Sequence, residues 1–64
     1  MVRINGEEKD FAGMKVSDLL AQEGCTPAQV AVELNEEILS KQKYAETFLK
    51  DGDTVEIVRF VGGG

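Results

Sequence analysis

Three glycines, Gly62-Gly63-Gly64, follow directly on a strand-like apolar run, Thr54-Val55-Glu56-Ile57-Val58-Arg59-Phe60-Val61, and the sequence stops there. A glycine normally marks a turn, with chain on both sides of it. Here three residues without side chains lead only to a carboxylate, which is ionised at neutral pH. Glycine has more backbone freedom than any other residue, so residues 62–64 are expected to form a flexible tail. They are also the thinnest peptide available, able to thread a narrow channel, and reach about 10 Å when extended. An ionised carboxylate is a poor electrophile until it is activated, most simply as a mixed anhydride with AMP. A persulfide that displaces AMP leads to a thiocarboxylate, and an amine gives an amide link to another protein. The bland alternative is a frayed end or an engineering remnant.

The other candidate groups are weaker. Cys25 is the sole cysteine, which excludes an internal disulfide or a centre of several thiolates. A nucleophilic thiolate needs a base or positive neighbours. There is no His, and the flanking residues are Gly24 and Thr26, so Cys25 reads as a bystander. The carboxylates Glu7-Glu8, Glu36-Glu37 and Asp51/Asp53 cluster where turns are expected. Asp51-Gly52-Asp53 lacks the further oxygen ligands of a calcium loop, so no metal site is read there. The terminal glycines cannot cradle a phosphate, because no helix follows them. That leaves Gly64 as the reactive group, with Gly62 and Gly63 as the threading segment.

Positioning that carboxylate falls to one small domain. Sixty-four residues, 42% of them hydrophobic, allow a single modest core. The net charge of -5 argues against a nucleic-acid partner. It suits either a partner with a basic docking face or simple solubility. Met1-Val2-Arg3-Ile4-Asn5 has no secretory character, and no apolar run approaches the ~20 residues of a membrane span. The expectation is a soluble cytoplasmic protein.

Along the chain, Val2-Arg3-Ile4-Asn5 alternates as a strand, and Asn5-Gly6 is a strong hairpin signal. Glu7–Phe11 is the expected return strand, charged and at an edge. Residues 16–24 read as a helix, with Ser17 as N-cap, Asp18 in the first turn and Gly24 just past the end. Val16 precedes that cap. Thr26-Pro27-Ala28-Gln29 suits a single capped turn. Val30–Leu34 alternates, with Val30, Val32 and Leu34 inward; Asn35-Glu36 turns, and Glu37-Ile38-Leu39 forms a short strand. A polar connector, a brief extended piece at Thr47-Phe48-Leu49 and a turn at Asp51-Gly52-Asp53 lead to the last strand. In that strand Val55 and Ile57 share one face, and Glu56, Val58 and Phe60 the other. With Val55 and Ile57 inward, Val58 and Phe60 are an exposed apolar pair beside the tail, a candidate docking patch.

This order predicts an α+β fold: one mixed sheet of four to five strands on one helix, with the first and last strands parallel in its middle. The chain also resembles the ThiS-type sulfur carrier proteins of thiamine biosynthesis over essentially its whole length. The resemblance rests on Asn5-Gly6, Val16-Ser17-Asp18-Leu19-Leu20, Val30-Ala31-Val32-Glu33-Leu34-Asn35, and Ile38 with Lys41 and Tyr44. Leu49–Val58 is more specific, and Phe60-Val61-Gly62-Gly63-Gly64 the most specific. It implies a ubiquitin-like β-grasp domain over residues 1–61 and a glycine tail over 62–64. It also implies that an E1-like adenylyltransferase uses ATP to adenylate Gly64, and that a persulfide sulfur donor of the cysteine desulfurase pathway makes the thiocarboxylate. Thiazole synthase then takes the sulfur. The chain itself is expected to bind no cofactor and to be a cosubstrate, not an enzyme. Gly62, Gly63, Val61, Phe60 and Val58 are the expected partner-binding residues. Rival readings are the small-subunit carrier of molybdopterin synthesis, a ubiquitin-like protein modifier and a pure interaction module.

Overall fold

Asn5 and Gly6 both adopt positive φ, 49° and 86°, as a tight primed turn requires. They join β1 (Val2–Ile4) to β2 (Glu7–Lys9) in an antiparallel hairpin. The computed structural model describes residues 1–60. After the hairpin come α1 (Val16–Gln22), β3 (Val30–Leu34), β4 (Glu37–Leu39) and β5 (Thr54–Arg59). The five strands form one mixed sheet in the order β2-β1-β5-β3-β4. β5 lies at its centre, parallel to β1 and antiparallel to β3. The predicted α+β, β-grasp architecture is therefore present, and β2 is an edge strand as expected.

The core explains why so short a chain folds. Val2 and Ile4 of β1, Val30 and Val32 of β3, and Val55 of β5 point to one side of the sheet, where Leu19 and Leu20 of α1 meet them. Leu19 and Leu20 are fully buried, each stabilising the fold by roughly 1.5–3 kcal/mol. Tyr44 and Leu49, from the long β4–β5 connection, close the far side of this core.

α1 ends as its sequence predicts. Gly24 takes φ 73°; its N–H donates to Ala21 O at 3.2 Å, and that of Cys25 to Leu20 O at 2.8 Å. This is the Schellman pattern, which satisfies the last carbonyls of the helix. The start differs from expectation. Ser17 is not the N-cap: Lys15 holds that position with extended backbone, and no side chain caps the helix. The orphan donors are met by the β4–β5 connection instead. Val16 N–H donates to Thr47 O and Ser17 N–H to Tyr44 O, both at 2.9 Å. With those partners supplied by distant main chain, a serine hydroxyl is not needed. Val16 consequently lies in the first turn and is buried, not ahead of the helix.

Three further boundaries shift. β2 stops at Lys9, and Phe11 leaves the sheet to pack half-buried against the core. Phe48 makes a single bridge to Lys15 where a short extended run was expected. β5 ends at Arg59, and Val61 lies outside the described residues. The turn at Pro27–Gln29 forms through its main chain, Gln29 N–H to Thr26 O at 2.8 Å, without a Thr26 side-chain cap.

Candidate functional site

The site is best built outward from β5. Its first half is held from both sides by asparagines. Asn5 faces the main chain of Ile57: Ile57 N–H donates to Oδ1 at 2.7 Å, and Nδ2 donates to Ile57 O at 3.3 Å. β1 thereby gains one more rung after its backbone has turned away. On the other side Thr54 N–H donates to Asn35 Oδ1 at 2.9 Å, and Asn35 Nδ2 to Asp53 Oδ1 at 3.0 Å. Asn35 and Glu36 take φ 53° and 71°, so the β3–β4 turn is of the primed type without glycine. The turn before β5 is tied to the start of β1 through Gly52 N–H to Met1 O, 2.8 Å, and Arg3 N–H to Asp53 O, 2.9 Å. The Met1 ammonium also bonds the Asp51 carboxylate, and that hydrogen bond raises the pKa of the ammonium from its ordinary value.

Beyond Ile57 the support becomes one-sided. Phe60 N–H donates to Gln29 O at 2.9 Å, the last rung between β5 and the β3 side. Val58 is 51% exposed and Phe60 57%, while Val55 is fully buried. The expected exposed pair is thus present on the sheet face opposite the helix. Sequence reasoning did not place Ile38 there, yet it is 79% exposed and lies on the same face: Ile38 pairs Glu33, which pairs Glu56. A signal existed. Ile38 and Leu39 are adjacent in a strand, so only one of them can face the core. Glu33 and Glu56, directly opposite each other, put two carboxylates on this same face beside Ile38 and Val58. Gly62, Gly63, Gly64 and Val61, the remaining predicted site residues, lie outside the described residues.

Cys25 has a positive neighbour that its sequence context did not reveal. Arg59, opposite Val30, turns its guanidinium to the end of α1, with Nη2 3.3 Å from Glu23 O and 3.4 Å from Cys25 Sγ. Among the described residues its thiol contacts Arg59 and the main-chain carbonyl of Glu23, and Cys25 remains half-buried beside the helix terminus. A cavity of about 170 Å³ opens here, lined in part by Cys25, Gln29, Arg59 and Phe60. It is smaller than the ~300 Å³ at which small-molecule sites begin. Among the described residues no group of three His, Cys, Asp or Glu could hold a metal ion, and no helix is long and apolar enough to cross a membrane.

What the geometry offers is a strand anchored at the sheet centre, with an exposed apolar face near its end. Known proteins are similar to this chain in sequence and fold. A model of the ThiS family matches residues 2–64. The sulfur carrier protein ThiS of Bacillus subtilis is 43% identical over 67 residues, spanning all of both chains. The thiazole synthase of Paramagnetospirillum magneticum is 52% identical over 62 residues, covering 95% of this chain but 19% of that protein. This chain therefore spans about a fifth of that larger relative. The crystal structure of the thiamine biosynthesis protein (ThiS) from Geobacter metallireducens superposes with a TM-score of 0.76 at 39% identity, covering 98% of this chain and 97% of that one. With the family model matched nearly end to end and the fold shared at that identity, this chain belongs to the ThiS family.

Proposed function

We propose that this chain is a sulfur carrier of thiamine biosynthesis and that the carboxylate of Gly64 is its working group. The observation that carries the reading is β5. Its first half is clamped at the centre of the sheet, and its second half exposes Val58 and Phe60 and is followed in the sequence by Val61-Gly62-Gly63-Gly64.

In the first step an E1-like adenylyltransferase binds ATP, and an oxygen of the Gly64 carboxylate attacks the α-phosphorus. Pyrophosphate leaves and an acyl adenylate remains. In the second step a persulfide, charged by a cysteine desulfurase pathway, attacks the carbonyl with its outer sulfur. AMP leaves, and Gly64 is joined to the donor through an acyl disulfide. A thiol of the partner then cleaves the S–S bond, becoming part of a disulfide itself and releasing the Gly64 thiocarboxylate. Thiazole synthase accepts the sulfur from that thiocarboxylate. Sequence similarity to a thiazole synthase over nearly the whole of this chain supports that enzyme as the acceptor.

Each part of the chain has a role in this cycle. Gly62 and Gly63 enter a channel too narrow for side chains. Val58 and Phe60, continued by Ile38, supply an apolar docking face, and Val61 joins it to the arm. The two activating steps need no group from this chain beyond Gly64, which makes it a cosubstrate.

Intact mass after incubation with ATP, the activating enzyme and a persulfide source tests the proposal. The expected result is exchange of one oxygen for sulfur at the C-terminus. Deleting Gly64 is expected to abolish adenylation and leave the melting temperature unchanged. Adenylation of the truncated chain, or stable higher-mass conjugates to other proteins on denaturing gels, would overturn it, the latter in favour of a protein modifier.

A further inference from the structure

Lys41 occupies a position that the carrier role alone does not explain. The rungs at Phe60 N–H to Gln29 O and Asn35 N–H to Thr54 O show that odd-numbered residues at either end of β3 bond toward β5. Successive strand residues alternate, so Val30 and Val32 direct their main chain to β4. The β3–β4 register pairs Val32 with Leu39, and its next hydrogen-bonded rung would join Val30 to residue 41. The chain leaves the sheet after β4, turning at Ser40 into the 3-10 turn Lys41–Lys43, and that rung is lost. Lys41 restores it with its side chain: Nζ donates to Val30 O at 2.8 Å. From that anchored position the same ammonium sits over the Phe60 ring, 5.7 Å from its centroid. β3 stands between β4 and β5, so the contact crosses a strand to reach the last described residue before the tail.

We infer that Lys41 is a positioning residue for the exposed apolar face: by closing the vacated rung at Val30 it is fixed in place, and it holds the Phe60 ring in one orientation at the end of β5. Among the described residues Phe60 has one rung, to Gln29, and it has an exposed ring. An exposed aromatic with nothing over its face samples several rotamers. A cation held there selects one of them. The activating enzyme then meets an apolar face already arranged, instead of ordering it on binding.

This inference rests on the carrier reading for its consequence but not for its geometry, and the test separates the two. Lys41→Met keeps the apolar stem and removes the charge and the donor. Lys41→Arg keeps both, since a guanidinium can donate to Val30 O and lie on the ring. In the free protein, NMR couplings of Phe60 should report one χ1 rotamer in the native chain and in Lys41→Arg, and averaging in Lys41→Met. The Lys41 side-chain protons should show a ring-current shift that Phe60→Leu removes. In pyrophosphate exchange with the activating enzyme, Lys41→Met should raise KM for this chain about fivefold with kcat unchanged, the scale of an exposed cation–π contact. Lys41→Arg should restore most of that loss. The effects of Lys41→Met and Phe60→Leu should be less than additive. A single Phe60 rotamer in Lys41→Met, an unchanged KM, or fully additive effects would overturn the assignment. If the native chain itself is not adenylated, the carrier reading fails while the NMR comparison still decides the Lys41–Phe60 contact.

Discussion

The two halves of β5 are adjacent and differ in almost every physical respect. Thr54–Ile57 is bonded on both sides, with β1 and Asn5 along one edge and β3 and Asn35 along the other. It buries Val55 completely. Val58–Phe60 is supported from the β3 side, and it exposes Val58 and Phe60. One continuous strand therefore carries the centre of the fold at one end and an exposed apolar face at the other. On the proposed carrier role, the difference teaches how so small a protein separates stability from recognition. The determinants are a few residues apart, yet they draw on different neighbours.

The largest expected effect lies in the clamped half. Val55→Ala removes two buried methyl groups and leaves a cavity against Leu19 and Leu20, costing roughly 2 kcal/mol. In a domain of this size that is a large share of the total stability. Val58→Ala, on the opposite face, is expected to change stability by less than about 0.5 kcal/mol. Urea denaturation of both variants decides it. Equal losses would show that β5 is a uniform structural strand and would break the comparison.

Asn5→Ala comes next. It removes both hydrogen bonds to Ile57 and places alanine at φ 49°, where only residues such as Asn and Gly sit easily. A loss of about 1–2 kcal/mol is expected from the bonds. Asn5→Gly separates the causes, because it tolerates the backbone angle and still lacks the amide. If Asn5→Gly matches the native chain in thermal melts, the side-chain rung contributes nothing and β5 is less firmly held than described.

Phe60→Ala tests the other half. Its expected signature is about a tenfold rise in KM for the activating enzyme, as for a central apolar contact, with a melting temperature within error of the native chain. A drop in melting temperature with KM unchanged would move Phe60 into the structural half.

The legibility of the sequence follows the same division. Local signals read correctly: Asn5-Gly6 as a primed turn, Gly24 as a helix end, the alternation that puts Val30 and Val32 inside. What it hid was contact between distant segments. Ser17 looked like a cap because the main chain at Tyr44 and Thr47 could not be foreseen as its substitute. Cys25 looked free of positive charge because Arg59 is 34 residues away. The Val58–Phe60 pair was legible from strand alternation, whereas the extension through Ile38 depended on a strand order that periodicity does not fix. The same holds for Lys41, whose role needs the register of three strands at once.

The smallest expected effect concerns the carboxylates between these apolar residues. Glu33 and Glu56 face each other directly across β3 and β5. Like charges in that position oppose pairing by roughly 0.2–1 kcal/mol. Glu33→Gln should therefore stabilise the fold, raising the melting temperature by about 1–8 °C. A docking face that keeps a destabilising pair is expected to use it in encounter. With a basic partner surface, Glu33→Gln should slow association with the activating enzyme or with thiazole synthase, more at low salt than at high, because exposed charges are screened over about 10 Å at 0.1 M salt. Stopped-flow association at two salt concentrations measures this. An unchanged or lower melting temperature of the variant would mean that the two carboxylates do not oppose each other. An association rate unchanged at both salt concentrations would remove Glu33 from the docking face and leave it to Val58, Phe60 and Ile38 alone.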